Sequence, residues 1–200
     1  MIMKNKMIDD LSVIDWKSMF IIGQKIGTSN FILQFLDQSL KKFDNSQDCR
    51  NFFNAFGLNS QILYVYKNEM TEFEKDKIRS ISNVHQIDFV DYHSLSAQGV
   101  ANVASQTIFT HVVFDDIKPF YSAKSFNSFI KSLADKNKKV ICGYQSTDVK
   151  MKNIKFLSNM DFILKLNAEI QTNLYDVELL SNINDPKVKR RNFYAVEIKS

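Results

Sequence analysis

Met19-Phe20-Ile21-Ile22-Gly23-Gln24-Lys25-Ile26-Gly27-Thr28-Ser29 decides how the rest of the chain is read. A short apolar run meets a glycine turn. From Ser29 to Phe43 apolar residues then recur at Phe31, Ile32, Phe35, Leu36, Leu40 and Phe43, with Asp37, Lys41 and Lys42 on the other side. That spacing predicts an amphipathic helix. Strand, glycine turn and helix form the opening unit of an α/β sheet.

The unit repeats along the chain. Gln61 to Tyr66 reads as a strand, and Thr71 with Glu74 forms a capping-box pattern that opens a helix running to about Ser82. Ile87 to Val90 is a short strand, and Ser94 to Ser105 is helical. Thr110 to Asp116 is a strand ending in two carboxylates, Ser122 to Asn137 a helix, and Lys139 to Tyr144 a strand. A short helix near Met151 to Ser158 leads to a strand at Phe162 to Leu166. Tyr175 to Leu180 and Asn192 to Ile198 close the chain as two strands joined by a basic loop. Alternating units predict a mostly parallel central sheet between two helical layers, with an antiparallel C-terminal strand pair at one edge.

Two hundred residues suit one domain spanning 1–200, with 44–60 as a surface insertion. The net charge of +4 is compatible with nucleic acid or an acidic partner and requires neither. Cys49 and Cys142 lie far apart, and Cys142 sits in an apolar run, which reads as a core thiol rather than a disulfide or zinc ligand. His85, His93 and His111 show no metal-ligand spacing. No apolar run reaches the ~20 residues of a membrane span, and residues 1–10 are not followed by a signal-peptide core. The expectation is a cytoplasmic protein without membrane contact.

Ligands of such sheets bind outside the carboxyl ends of the strands, and four segments converge there. The first is the opening turn. A phosphate loop reads G-x-x-x-x-G-K-[ST]; its backbone N–H groups hold phosphate oxygens and its lysine neutralises them. Gly27 and Ser29 fit the second glycine and the magnesium-binding hydroxyl, Thr28 stands where lysine belongs, and Gly23 is one residue too close to Gly27. Gly23, Lys25, Gly27, Thr28 and Ser29 are therefore the candidate nucleotide-binding residues, with Lys25 as the charge that could compensate. A strand–turn–helix bend with glycines explains the same residues without a ligand.

The second segment is Tyr66-Lys67-Asn68-Glu69-Met70, where Glu69 could act as a general base. In the third, Asp115 and Asp116 end a buried strand and could hold Mg²⁺ through its waters. Gln145 ends the strand that follows. Away from these, Lys187, Lys189, Arg190 and Arg191 precede Phe193 and Tyr194, a mixture suited to single-stranded DNA or to a solvated hairpin loop.

In order and in content, these segments resemble the RecA-like ATPase core of DnaB-type replicative helicases, over roughly Asp15 to Ile198. Ile62 to Met70 is similar to the family's second strand and its Glu-Met ending, which implies Glu69 as catalytic base. Val112-Val113-Phe114-Asp115-Asp116 resembles its Walker B strand, and Val140 to Gln145 the strand that ends in a sensing glutamine. Asp161 to Leu164 and Asp176 to Leu180 resemble the two strands that follow. The resemblance implies ATP and Mg²⁺ as ligands, homo-oligomeric contacts, and partners in replication or recombination.

The chain also departs from this family. The Walker A lysine is absent. After Leu180, where the family carries a lysine and an arginine, the chain reads Ser181-Asn182-Ile183-Asn184. Loss of one charge-stabilising group costs roughly 10²–10⁵ in rate. The expected function is a catalytically degenerate, RecA-like binding or regulatory protein acting through protein or single-stranded DNA contacts. The alternative is a small ATPase that relies on Lys25.

Overall fold

A computed structural model of the chain describes residues 16–23, 25–66, 70–80, 86–92, 94–117, 126–145, 161–168, 174–180 and 192–197. Among these residues eight strands form one sheet: β1 (Ser18–Gly23), β2 (Gln61–Tyr66), β3 (Gln86–Asp91), β4 (His111–Phe114), β5 (Lys139–Gln145), β6 (Phe162–Ala168), β7 (Leu174–Leu180) and β8 (Asn192–Glu197). Their order is β3-β2-β4-β5-β1-β6-β7-β8. The first six are all parallel. β7 pairs antiparallel with β6, and β8 antiparallel with β7.

Five helices lie among the described residues: α1 (Lys25–Phe43), α2 (Gln47–Phe56), α3 (Glu72–Arg79), α4 (Ala97–Ala104) and α5 (Phe126–Asp135). They cover both faces of the sheet. Met19, Ile21, Ile62, Tyr64 and Val113 pack with Phe31, Phe35 and Leu36 of α1 and Ile78 of α3. Phe20, Leu63, Val112, Phe114 and Cys142 face Val100 of α4 and Ile130 and Leu133 of α5. Strands buried on both sides need apolar residues at every position, which is why the central strands read as unbroken hydrophobic runs. Each such Leu, Ile or Phe contributes about 1.5–3 kcal/mol by leaving water.

Local signals fix several element ends. Thr71 accepts from the Glu74 amide while the Glu74 carboxylate accepts from the Thr71 amide, so the expected capping box opens α3. That helix stops at Arg79, short of Ser82. The 44–60 segment carries α2. Ser46 caps α2, Gly57 ends it at φ 72°, and Cys49 and Phe52 are buried.

The amino end of the sheet is fastened by one carboxylate. Asp161 Oδ2 accepts from the amides of Lys17 and Ser18 at 2.7 and 2.9 Å, and Ser18 Oγ accepts from the Asp161 amide at 3.1 Å. This reciprocal tie sets β6 beside β1 in the register Met19 to Phe162. The helix expected near Met151 to Ser158 lies outside the described residues.

Candidate functional site

The carboxyl ends of β1, β4 and β5 lie side by side, with Gly23 opposite Gln145 across the β1–β5 ladder. α1 starts at Lys25, two positions beyond the last residue of β1 and four before the helix start expected from sequence. The glycine spacing reads as a loop, yet a single glycine costs a helix only about 1 kcal/mol. Packing of the long apolar stripe of α1 outweighs that. Lys25 and Gly27 thus fall in the first helical turn, where a wrapping phosphate loop would still be irregular.

Thr28 is fully buried, and its hydroxyl has no hydrogen-bond partner among the described residues. It is wedged against two glycines. A methyl at Gly23 would come within 3.0 Å of Thr28 Oγ1, and one at Gly143 within 3.1 Å of its methyl carbon. Residue 28, which the resemblance aligns with a phosphate-binding lysine, is therefore inside the core. An ammonium placed there would lose its hydration without gaining a phosphate.

Ser29, one residue on, faces the sheet edge. Its hydroxyl donates to Asp115 Oδ1 at 2.8 Å, and the Tyr64 hydroxyl donates to the same oxygen at 2.9 Å. Gln145 Nε2 donates to Asp115 Oδ2 at 3.1 Å. The backbone N–H of Gln145 donates to Asp116 Oδ1 at 3.3 Å. Of the residues singled out from sequence, Ser29, Asp115, Asp116 and Gln145 form one cluster, with Gly23 and Thr28 packed beneath it.

The backbone around this cluster is tightly placed. The Asp115 amide donates to the Val65 carbonyl at 2.9 Å and the Ile117 amide to the Gly143 carbonyl at 2.8 Å. The chain leaving β4 therefore crosses the end of β5. A β-carbon on Gly143 would overlap the Asp115 carbonyl oxygen. Only glycine admits that approach.

Burial pushes the Asp115 carboxyl above its usual range, and the charge of Asp116 adds to the rise. Donation from Ser29, Tyr64 and Gln145 works against it. Tyr64 is only 1% exposed, and burial followed by the nearby Asp115 charge holds its phenol well above the ordinary value near 10. It therefore stays protonated and donates.

Tyr64 is the member that sequence reasoning missed. A tyrosine inside a doubly buried strand needs a partner for its hydroxyl, and that was the available signal. Glu69 lies outside the described residues, as do Lys187, Lys189, Arg190 and Arg191. Among the described residues no group of three or more His, Cys, Asp or Glu side chains could hold a metal ion. None of the helices described is long and apolar enough to cross a membrane. No protein-family model matches the chain, and no curated protein matches it.

Proposed function

We propose that this chain is a RecA-like domain that has left phosphate-loop catalysis and serves as a binding or regulatory protein in DNA replication or recombination. Its contacts would be with a helicase- or recombinase-like protein, with single-stranded DNA, or with further copies of itself. Six parallel strands between helices suit a RecA-like layout and other Rossmann-type sheets equally. The arrangement at the carboxyl edge of the sheet supports the RecA-like reading.

The supporting observation is the contrast between two adjacent residues. Ser29 keeps the hydrogen bond to Asp115 expected of a magnesium-site hydroxyl beside a Walker B aspartate. Thr28, at the lysine position, is packed into the core between Gly23 and Gly143. The framework of a nucleotide site is kept while the group that neutralises phosphate is gone.

The test is calorimetric titration of the full chain with millimolar Mg-ATP, alongside salt-dependent binding to single-stranded DNA. Absence of nucleotide binding together with salt-sensitive DNA binding supports the proposal. Mg²⁺-dependent ATP turnover would overturn it in favour of the small ATPase. That second reading draws on the Ser29–Asp115 contact and on Lys25 in the first turn of α1, and it requires Lys25→Ala to abolish ATP binding.

A further inference from the structure

We infer that Tyr64 and Gln145 occupy the share of Asp115 that a divalent cation would need, so that this carboxylate works as a metal-independent strut. The fold resemblance implies Mg²⁺ here, and the side chains present do not fit it. Oδ1 already accepts two hydroxyl hydrogens, from Ser29 at 2.8 Å and Tyr64 at 2.9 Å. Oδ2 accepts from Gln145 Nε2 at 3.1 Å, which also lies 3.4 Å from the Asp115 carbonyl. A carboxylate offers about four acceptor sites, and three are filled by protein donors.

These donors cannot easily step aside. Tyr64 is 1% exposed, and its ring packs against Phe89 with centroids 5.9 Å apart. For its hydroxyl to leave Oδ1, a core aromatic would have to move. Gln145 is held from its backbone as well, through its amide to Asp116 Oδ1. Only the fourth acceptor site of Asp115 is left for the water of a bound cation. The three donors instead join α1, β2 and β5 to the end of β4 through one side chain.

This inference concerns the cation, and its test reads metal binding and unfolding rather than nucleotide or DNA affinity. Its outcome is therefore separable from that of the proposed function. Mn²⁺ serves as the probe, with free ion followed by electron paramagnetic resonance during titration of the full chain. The expected result is that wild-type protein leaves the free-ion signal unchanged at millimolar metal, and that MgCl₂ and EDTA give the same thermal midpoint.

Tyr64→Phe frees one lone pair of Oδ1 and tightens Mn²⁺ binding by roughly tenfold or more, the scale of one hydrogen bond to a charged group. Mn²⁺ bound by wild type and lost in Asp115→Asn would overturn the inference. A folded Tyr64→Phe protein that gains no Mn²⁺ would overturn the role given to Tyr64. If Tyr64→Phe does not fold, the comparison of wild type with Asp115→Asn still decides.

Discussion

Ser29 and Asp115, 86 positions apart in the chain, meet at 2.8 Å where the second turn of α1 passes the end of β4. The contact couples the first helix to a strand that is not its sheet neighbour, since β5 lies between β1 and β4. Ser29→Ala should destabilise the protein by about 1–2 kcal/mol. Asp115→Ala should cost about 2–4 kcal/mol, because it strands the buried Tyr64 hydroxyl as well. Urea unfolding of the two variants checks the order; equal, negligible losses would show that the cluster is not cohesive.

Thr28→Lys supplies the lysine of a phosphate loop, with Gly23 still one residue too close to Gly27, and should not create a phosphate site. The side chain at this position is fully buried, so the variant should lose about 3 kcal/mol or more and still fail to bind Mg-ATP. Thermal unfolding and calorimetry on the same preparation read both effects. A stable variant that binds ATP would mean that the segment can reopen as a loop.

Gly143→Ala drives a β-carbon into the Asp115 carbonyl oxygen, a backbone atom that cannot rotate away. A loss of about 3 kcal/mol is expected, at the upper end for overpacking. Gly57→Ala is the contrast. Its β-carbon meets nothing within 4 Å, and φ is +72°, so only the left-handed backbone penalty of about 1–2 kcal/mol applies. Denaturant midpoints should separate the two.

Lys138 gives a pH signature. It is 4% exposed, its ammonium donates to the carbonyls of Gln106 and Phe109, and burial, helped by Lys136, lowers its pKa from about 10.5 to about 8. Between those values the unfolded chain holds the proton more often than the folded one. This residue therefore makes stability rise with pH from about 8 to about 10.5. Burial raises the Cys142 thiol, which acts in the opposite sense at alkaline pH. The difference between wild type and Lys138→Met isolates the lysine: the upward slope should vanish in the variant, and an unchanged slope would show that Lys138 does not titrate as described.

Neutralising Lys189, Arg190 and Arg191 together should weaken single-stranded DNA binding and flatten its salt dependence. The logarithmic slope should fall by about 0.7 for each phosphate that is no longer paired with a cation. Fluorescence anisotropy across a salt series measures this. Unchanged affinity would move the interaction surface elsewhere.

The strands were legible because burial on both faces leaves an unmistakable residue pattern, as in Ile62 to Val65 and Val112 to Phe114. The α3 cap was legible because Thr71 and Glu74 interact within one turn. The start of α1 was misplaced because Gly23 and Gly27 carry a loop pattern that packing overrides. Ser29, Asp115 and Gln145 could be named from their places at strand and helix ends, but not their mutual contacts. Tyr64 escaped notice because its partner lies 51 residues away, and no local spacing records such a pairing.

β3 forms one flank of the sheet, and its exposed positions include Gln86 and Asp88, with Asp91 half-exposed at its end. Among the described residues no strand lies beyond it, and such a flank invites other chains to add to it. Here two like copies approaching along β3 would bring carboxylates of the same sign together at short range. That electrostatic fence should keep concentrated protein from growing strand upon strand.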